Sequence, residues 1–261
     1  VIALGGEPVM ASVILGWIGV ATLVALTGWL AHRHVGGFGA VIASTFVAMD
    51  AQMVLEGVEG LETVAYASLI TLGVLVAFRP KVHVGSTVWF SLAALTRPEA
   101  PLIWGGTHLG LWLRERWSPA AMRKTILTSW PLMVTLLAVT LWRMVYYGDW
   151  LPNTFYAKTG GFALERGLIY VVDHMLARPV LWVAAFAALW ISAMRPFAVV
   201  VGFVLLYVVG VGGDFKPTGR FLIPVLPILA MMASASLASL WRRAQWRYLW
   251  APFVLAAFVW F

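Results

Sequence analysis

The chain has 261 residues, of which 62% are hydrophobic and only 11% are charged. An ordinary soluble domain is about half apolar and roughly a quarter charged, so a water-soluble globular protein is excluded. The net charge is +7, and the chain contains no cysteine. The positive charges lie in short loops between apolar runs, which argues against nucleic-acid binding, and neither disulfides nor thiolate metal sites can form.

The apolar runs are interpreted as membrane helices, because lipid offers no partner for free backbone groups. Ten segments are predicted, at roughly 9–31, 38–55, 61–78, 84–96, 99–113, 124–145, 178–194, 196–211, 221–240 and 247–261. The pattern predicts an all-α, polytopic transmembrane helical bundle that forms a single domain over residues 1–261. Both ends of the chain lie in apolar stretches, and we expect it to be a piece of a longer membrane protein.

Two parts of this pattern leave the local structure open. Segments 84–96 and 99–113 are short and form either two spans or one re-entrant hairpin. Residues 164–176 predict a helix that lies in the membrane interface, with Leu164, Leu168, Val171 and Val172 on one side.

The turns between the segments alternate in charge. One set has Glu115 as its only acid and contains the basic residues Arg33, Arg79, Lys81, Arg114, Arg116, Arg123, Lys124, Arg195, Arg242, Arg243 and Arg247. Short loops rich in Lys and Arg stay in the cytoplasm, so this set is predicted to be cytoplasmic. The other set carries all the remaining acids and is predicted to face the outside.

Four outer segments carry the residues that are suited to chemistry. They are VEGLET at 58–63, TRPEAP at 96–101, YYGDWLPNTFYAK at 146–158 and GGDFKPTGRF at 212–221. Ionisable residues are costly at membrane depth, so their presence indicates function. Because the four segments share one side of the membrane, we expect them to converge on one cavity.

The first two segments each allow a functional and a structural interpretation. Glu59 and Glu62 are three residues apart, which predicts that they share one helix face. They are either part of a site or acids placed against the dipole at a helix N-terminus. Arg97 either grips a phosphate with its fork of donors or pairs with Glu99 or another nearby acid.

The other two segments are also open to both interpretations. Residues 146–158 combine aromatic rings with Asp and Asn, which suits a sugar with apolar faces and hydroxyl edges, or an ordinary interfacial aromatic belt. Gly212 and Gly213 predict a tight turn. Asp214, Lys216 and Arg220 then form either a site for a lipid phosphate or a plain charged turn.

The order GLET, TRPE, YYGxxLPNTFYAK and GGDF…RFLxP resembles the GT-C glycosyltransferases, and in particular the bacterial membrane arabinofuranosyltransferases. The resemblance covers about residues 9–240. It implies an enzyme of the bacterial inner (plasma) membrane that works on the extracytoplasmic face. Such an enzyme moves a sugar, arabinofuranose in this branch, from a polyprenyl-phosphate donor to a glycan or lipid of the cell envelope.

The resemblance also implies roles for the candidate residues. The donor phosphate is expected to bind Lys216, Arg220, Arg97 and Lys158, and the sugar or acceptor to bind Tyr146, Tyr147, Asp149, Asn153 and Tyr156. We expect no metal ligand among the histidines. No cofactor is required by the sequence, although a divalent cation beside the phosphate is compatible with the family.

The catalytic base stays open at this stage. Inverting transfer needs a carboxylate to accept the proton of the acceptor hydroxyl. GT-C enzymes usually carry this aspartate in the first outer loop, and the first outer segment here holds only Glu7. The remaining candidates are Asp214, Glu59, Glu62 and Glu99, and a protein that began at Val1 is expected to be inactive.

Two other classes of membrane protein compete with this interpretation. A transporter or lipid flippase should show charges within its spans and paired broken helices. A non-catalytic assembly protein would need none of the outer residues for chemistry. The clustering of acids at one edge favours the enzyme.

Overall fold

A bundle of α-helices makes up the protein in the computed structural model, which describes residues 8–59, 62–79, 84–150, 163–214 and 219–242. The helices, in chain order, are α1 (Pro8–His34), α2 (Gly37–Ala48), α3 (Ala51–Val58), α4 (Thr63–Ala77), α5 (Val84–Thr96), α6 (Ala100–Arg114), α7 (Pro119–Thr128), α8 (Trp130–Tyr147), α9 (Leu164–Ala177), α10 (Pro179–Ala187), α11 (Arg195–Val211) and α12 (Leu226–Arg242). Short 3-10 turns lie at Ala188–Trp190, Ser192–Met194 and Arg220–Val225. The predicted all-α, polytopic fold class is confirmed.

Long straight spans are a minority among the described helices. Three segments are long and apolar enough to cross a membrane, at Val9–His34, Ser192–Val211 and Arg220–Arg242. Three pairs of consecutive helices are also long enough if each pair is one span: α2–α3, α7–α8 and α9–α10, which are bent by 58°, 41° and 97°. The predicted segment 247–261 lies outside the described residues.

Two of the three bends, and the end of α8, follow from the residues at those positions. The Asp50 carboxylate accepts a hydrogen bond from the Met53 backbone N–H at 3.0 Å, so it caps the start of α3 and separates that helix from α2. Pro179 is the first residue of α10 and lacks a backbone donor, which prevents α9 from continuing. Gly148 ends α8 in the left-handed conformation, with φ of 76°.

Helices are present in both parts of the chain for which the sequence left the local structure open. α5 and α6 are separate helices of 13 and 15 residues, and Pro98 lies in the short turn between them. Residues 164–177 form the predicted helix α9. Of the four side chains predicted on one side, only Val171 is buried, whereas Leu164, Leu168 and Val172 are exposed.

α12 is the centre of the bundle. It packs against α1, α2 and α10, and 94% of the most apolar 18-residue stretch within Arg220–Arg242 is buried inside the protein.

Glycines let neighbouring helix backbones approach closely at two other places in the bundle. A Cβ on Gly16 of α1 would lie 1.7 Å from the Gly57 carbonyl oxygen of α3, and one on Gly110 of α6 would lie 2.2 Å from the Pro196 carbonyl oxygen of α11. The first contact holds α3 against α1 beside Glu56, and the second holds α6 against α11 at the opposite end of those helices.

Candidate functional site

Three of the four predicted outer segments meet at one point. Arg97 follows α5, Arg220 begins the turn before α12, and Glu62 and Thr63 begin α4. Arg97 donates through Nε to Glu62 Oε1 at 3.0 Å and through Nη2 to Thr63 Oγ1 at 3.2 Å. Arg220 donates through Nε to Thr63 Oγ1 at 2.9 Å and through Nη2 to Glu62 Oε1 at 3.0 Å. Both guanidinium groups therefore bind the same two atoms, and we call these four residues the two-arginine cluster.

Two more carboxylates lie behind the guanidinium of Arg220. Glu56 Oε2 is 3.4 Å from Arg220 Nε, and Asp214 Oδ2 is 3.9 Å from Nη1. The side chains of Glu56 and Asp214 are 0% and 1% exposed. Burial of a carboxylate is costly unless a cation lies close to it, and Arg220 supplies one such positive charge to both acids. Gln52 also donates to Glu56 Oε1 at 2.9 Å.

Glu62 is ionised at neutral pH. Partial burial raises the pKa of its carboxyl group, but a backbone hydrogen bond and the charges of Arg97 and Arg220 outweigh that effect, so the pKa is lowered from its ordinary value. The Glu62 side chain is still 44% exposed. A carboxylate held by two arginines is a weak proton acceptor but is well placed to occupy an anion site.

The predicted tight turn at the start of the fourth segment, residues 212–221, is present. Gly212 and Gly213 have φ angles of 81° and 75°, in the left-handed region where a side chain is disfavoured. α9 holds this turn from one side. Arg166 Nε donates to the Gly212 carbonyl oxygen at 2.8 Å, and the Tyr170 hydroxyl accepts the Phe221 backbone N–H at 3.1 Å. The turn therefore fixes where Asp214 and Arg220 lie.

One prediction about the first segment is wrong. Glu59 and Glu62 do not share a helix face, because Glu59 caps the C-terminal end of α3 and Glu62 precedes α4. The two residues belong to different helices, so their spacing in sequence does not bring them together. Glu62 is at a helix N-terminus, as the structural interpretation had it, but it also binds both arginines. Glu59 is exposed and lies outside the two-arginine cluster.

The segment at 146–158 is described only in its first part. Tyr146 and Tyr147 are 69% and 54% exposed and form ring contacts with Trp142 and with each other. Asp149 is also exposed. None of these three has a contact with the two-arginine cluster among the described residues. The predicted residues Asn153, Tyr156, Lys158 and Lys216 lie outside the described part of the chain.

A cleft opens on the other side of Arg97. It contains about 280 Å³ of empty space, counting its open mouth, and its lining includes Tyr66, Arg97, Glu99, Tyr207, Phe221 and Pro224. The Arg97 guanidinium carbon lies 5.7 Å from the centre of the Tyr66 ring and 5.9 Å from that of Phe221. Arg97 is therefore shared between the cleft and the two-arginine cluster.

Sequence reasoning missed a second buried ion pair. The Arg178 guanidinium binds Asp50 through Nε, and its Nη2 donates to Asp50 Oδ1 at 3.1 Å. The two side chains are 9% and 1% exposed. Asp50 lies at the α2–α3 break and Arg178 at the α9–α10 break. The sequence contained one indication of this pair, because Asp50 and Arg178 each interrupt an apolar run.

Thr63, Tyr66, Tyr207 and Glu56 were also missed as members of the polar region. Helical spacing offered one signal, since Tyr66 is four residues after Glu62 and therefore on the same side of α4. No group of three or more His, Asp or Glu residues that could hold a metal ion occurs in the ranges that the structure describes.

A search of solved structures finds one with the same fold. ArnT from Cupriavidus metallidurans in the apo state, a GT-C glycosyltransferase, matches with a TM-score of 0.62 and 17% sequence identity. The match covers 94% of this chain and 48% of ArnT, so the chain spans about half the length of that protein. No family model matches the chain, and no curated protein is similar to it in sequence. The resemblance to the GT-C fold is confirmed.

Proposed function

We propose that this chain is part of a membrane glycosyltransferase that moves a sugar from a polyprenyl-phosphate donor to a glycan or lipid of the bacterial cell envelope. Arabinofuranose is the proposed sugar, and the extracytoplasmic face of the inner membrane is the proposed side of reaction. The likeness to ArnT supports a lipid-linked donor. The order of the polar motifs supports the arabinofuranosyl branch.

The observation that carries the proposal is the convergence of Arg97 and Arg220 on the same two atoms. Two guanidinium groups that share one carboxylate oxygen present converging donors, which is the arrangement that suits a phosphate oxygen. In this proposal the donor phosphate takes the place of the Glu62 carboxylate, with Thr63 donating its hydroxyl proton. Lys216 and Lys158 are proposed to add positive charge around the same phosphate.

The geometry argues against three of the four described candidates for the catalytic base. Glu62 binds two arginines that lower its pKa, and the Asp214 side chain is 1% exposed and lies behind Arg220. Glu59 is exposed and away from the two-arginine cluster. Glu99 lines the cleft beside that cluster. The aspartate that the GT-C resemblance implies in a first outer loop remains a further candidate outside these residues.

Binding of the bare lipid tests the proposal independently of catalysis. The protein is reconstituted in nanodiscs and titrated with polyprenyl phosphate and, as the matched control, with the polyprenol of the same length. We expect the phosphate to be bound at least tenfold more tightly than the alcohol, because charge-assisted hydrogen bonds are lost without it. Equal binding of the two lipids would contradict the proposal. A second assay follows transfer of radiolabelled arabinose from its polyprenyl-phosphate donor to an envelope acceptor fraction.

Glu62→Gln should tighten the binding of polyprenyl phosphate about fivefold, because the variant keeps the shape of the side chain but removes the competing negative charge. The pKa of Glu62 is lowered, so the wild-type carboxylate competes throughout the neutral range. Its competition should fade only as the pH falls through that lowered pKa. The titration is compared with Glu115→Gln, an exposed acid on the predicted cytoplasmic side. Weaker binding by Glu62→Gln would mean that Glu62 organises the arginines instead of occupying their site.

A transporter is the second candidate function, and the broken helices favour it. The three bent helix pairs, with Asp50 and Arg178 at two of the breaks, are features that secondary transporters share. However, Asp50 and Arg178 are buried and bind each other, so they do not line an open path. Movement of a labelled polyprenyl-phosphate lipid across proteoliposomes, without any sugar transfer, would favour this candidate.

A further inference from the structure

We infer that the cleft formed by Tyr66, Glu99 and Tyr207 binds a hydroxyl group of the sugar on the lipid donor, and thereby lets the protein distinguish a sugar-bearing lipid from the bare lipid phosphate. This inference rests on the proposed function and deepens it. It moves sugar recognition away from Tyr146, Tyr147 and Asp149, which the sequence pattern had suggested.

The first observation is the buried hydroxyl of Tyr66. The residue is 1% exposed, and its hydroxyl has no hydrogen-bond partner among the described residues, although it lines the cleft. A buried polar group without a partner costs free energy, so native proteins rarely keep one unless a ligand or water completes it. The Tyr66 hydroxyl is therefore a donor that a molecule in the cleft can use.

The second observation is the carboxylate of Glu99. Its Oε2 atom is buried and has no hydrogen-bond partner in the part of the chain that the structure describes. The Tyr207 hydroxyl lies beside the same carboxylate. A carboxylate only accepts, whereas a tyrosine hydroxyl both donates and accepts. A sugar hydroxyl can donate to Glu99 and accept from Tyr66, so one hydroxyl satisfies both groups.

The shape of the cleft fits one edge of a sugar. Phe221, Pro224, Leu102 and Ile103 supply apolar walls around the polar atoms. The polar interior has room for a water-sized group, which is the size of one hydroxyl. The sugar ring itself would remain at the mouth of the cleft, beside Arg97.

The position of Arg97 links the cleft to the phosphate. Its guanidinium group binds Glu62 and Thr63 on one side and lies 5.7 Å from the Tyr66 ring on the other. A phosphate in the two-arginine cluster would thus be separated from the cleft by a distance that one sugar ring can bridge. A single donor molecule can therefore occupy both places together.

The experiment compares lipids that carry a sugar with the lipid that does not. Wild-type protein and the variants Tyr66→Phe and Glu99→Gln are titrated in nanodiscs with polyprenyl phosphate, alone and linked to arabinofuranose, mannose or glucose. We expect the wild type to bind one sugar-linked lipid about tenfold more tightly than bare polyprenyl phosphate, since the pairing of buried groups is worth about that factor. Each variant should lose most of this preference and keep its affinity for the bare lipid.

Matched controls separate recognition from folding. Ser68→Ala removes a buried hydroxyl from the same helix, where Ser68 donates to the Val64 carbonyl oxygen instead of facing the cleft. Glu115→Gln removes an acid that lies outside the cleft. Both controls should keep the wild-type preference.

The possible outcomes distinguish this inference from the proposed function. If wild type binds bare and sugar-linked lipids equally, or if Tyr66→Phe and Glu99→Gln keep the full preference, the inference is wrong while the lipid-phosphate site stands. If wild type binds no polyprenyl phosphate at all, the proposed function itself fails.

Discussion

Arg220→Ala is expected to weaken binding of polyprenyl phosphate by about 100-fold and to abolish any sugar transfer. Arg220 donates to both Thr63 and Glu62 and lies 3.4 Å and 3.9 Å from carboxylate oxygens of the buried side chains of Glu56 and Asp214. Removing one member of a buried, hydrogen-bonded charge pair costs about 2 to 5 kcal/mol, and much of this cost is the charge left behind. The loss should appear in lipid titrations and in transfer assays alike.

Two further variants show whether this loss concerns binding or folding. Arg220→Lys keeps the charge but has no fork of donors, so we expect recovery of stability with only partial recovery of lipid binding. Arg220→Ala combined with Glu56→Gln removes one of the acids that lose their cation, so it should melt at a higher temperature than Arg220→Ala alone. If this double variant also regained tight lipid binding, Arg220 would be a structural residue and not a ligand of the phosphate.

Asp50→Ala should destabilise the protein by about 3 to 5 kcal/mol, the largest loss of stability that we expect from a single substitution. The change leaves the Arg178 guanidinium buried without its carboxylate, which is the costly way to break an ion pair. It also removes the side chain that caps α3. Thermal or denaturant unfolding of the detergent-solubilised protein measures the effect.

The exposed ion pair between Arg114 and Glu115 is the matched comparison. Its atoms are 3.5 Å apart and its side chains are 39% and 44% exposed, so Glu115→Ala should change stability by no more than about 0.5 kcal/mol. Asp50→Ala combined with Arg178→Met should regain most of the lost stability, because an apolar replacement of both partners removes the buried charge. A loss in the double variant as large as in Asp50→Ala would show that the cap of α3, and not the charge pair, holds the two breaks together.

The sequence was sufficient for the fold class and for part of the site, for a physical reason. Apolar runs must form helices in lipid, which predicts the fold class. Charged residues are rare at the ends of these runs, so the motifs TRPE, GLET and GGDF…R could be recognised as candidate site segments. Their predicted location on one side of the membrane indicated that they come together. The tight turn at 212–213 was predicted from two consecutive glycines. These features depend on local chemistry, which a single sequence records.

Other features depend on contacts between distant parts of the chain. Asp50 and Arg178 are 128 positions apart, and no spacing rule joins them. Glu59 and Glu62 have helical spacing but cap two different helices, so periodicity gave the wrong answer. Tyr66 and Tyr207 are ordinary aromatic residues of apolar helices, and their role in the cleft depends on how α4 and α11 pack around Arg97.

The enclosure of α12 has a consequence for how the protein is made. This helix follows its neighbours α1, α2, α10 and α11 in chain order, yet it is almost fully surrounded by protein. During synthesis the earlier helices therefore enter the membrane before α12 does. The apolar surfaces that later pack against α12 can contact lipid tails in the meantime, because lipid tails are as apolar as these side chains. Arg220 enters the membrane together with α12, 158 positions after Glu62. Insertion of α12 therefore packs its neighbours together and brings Arg220 to Glu62 in the same step.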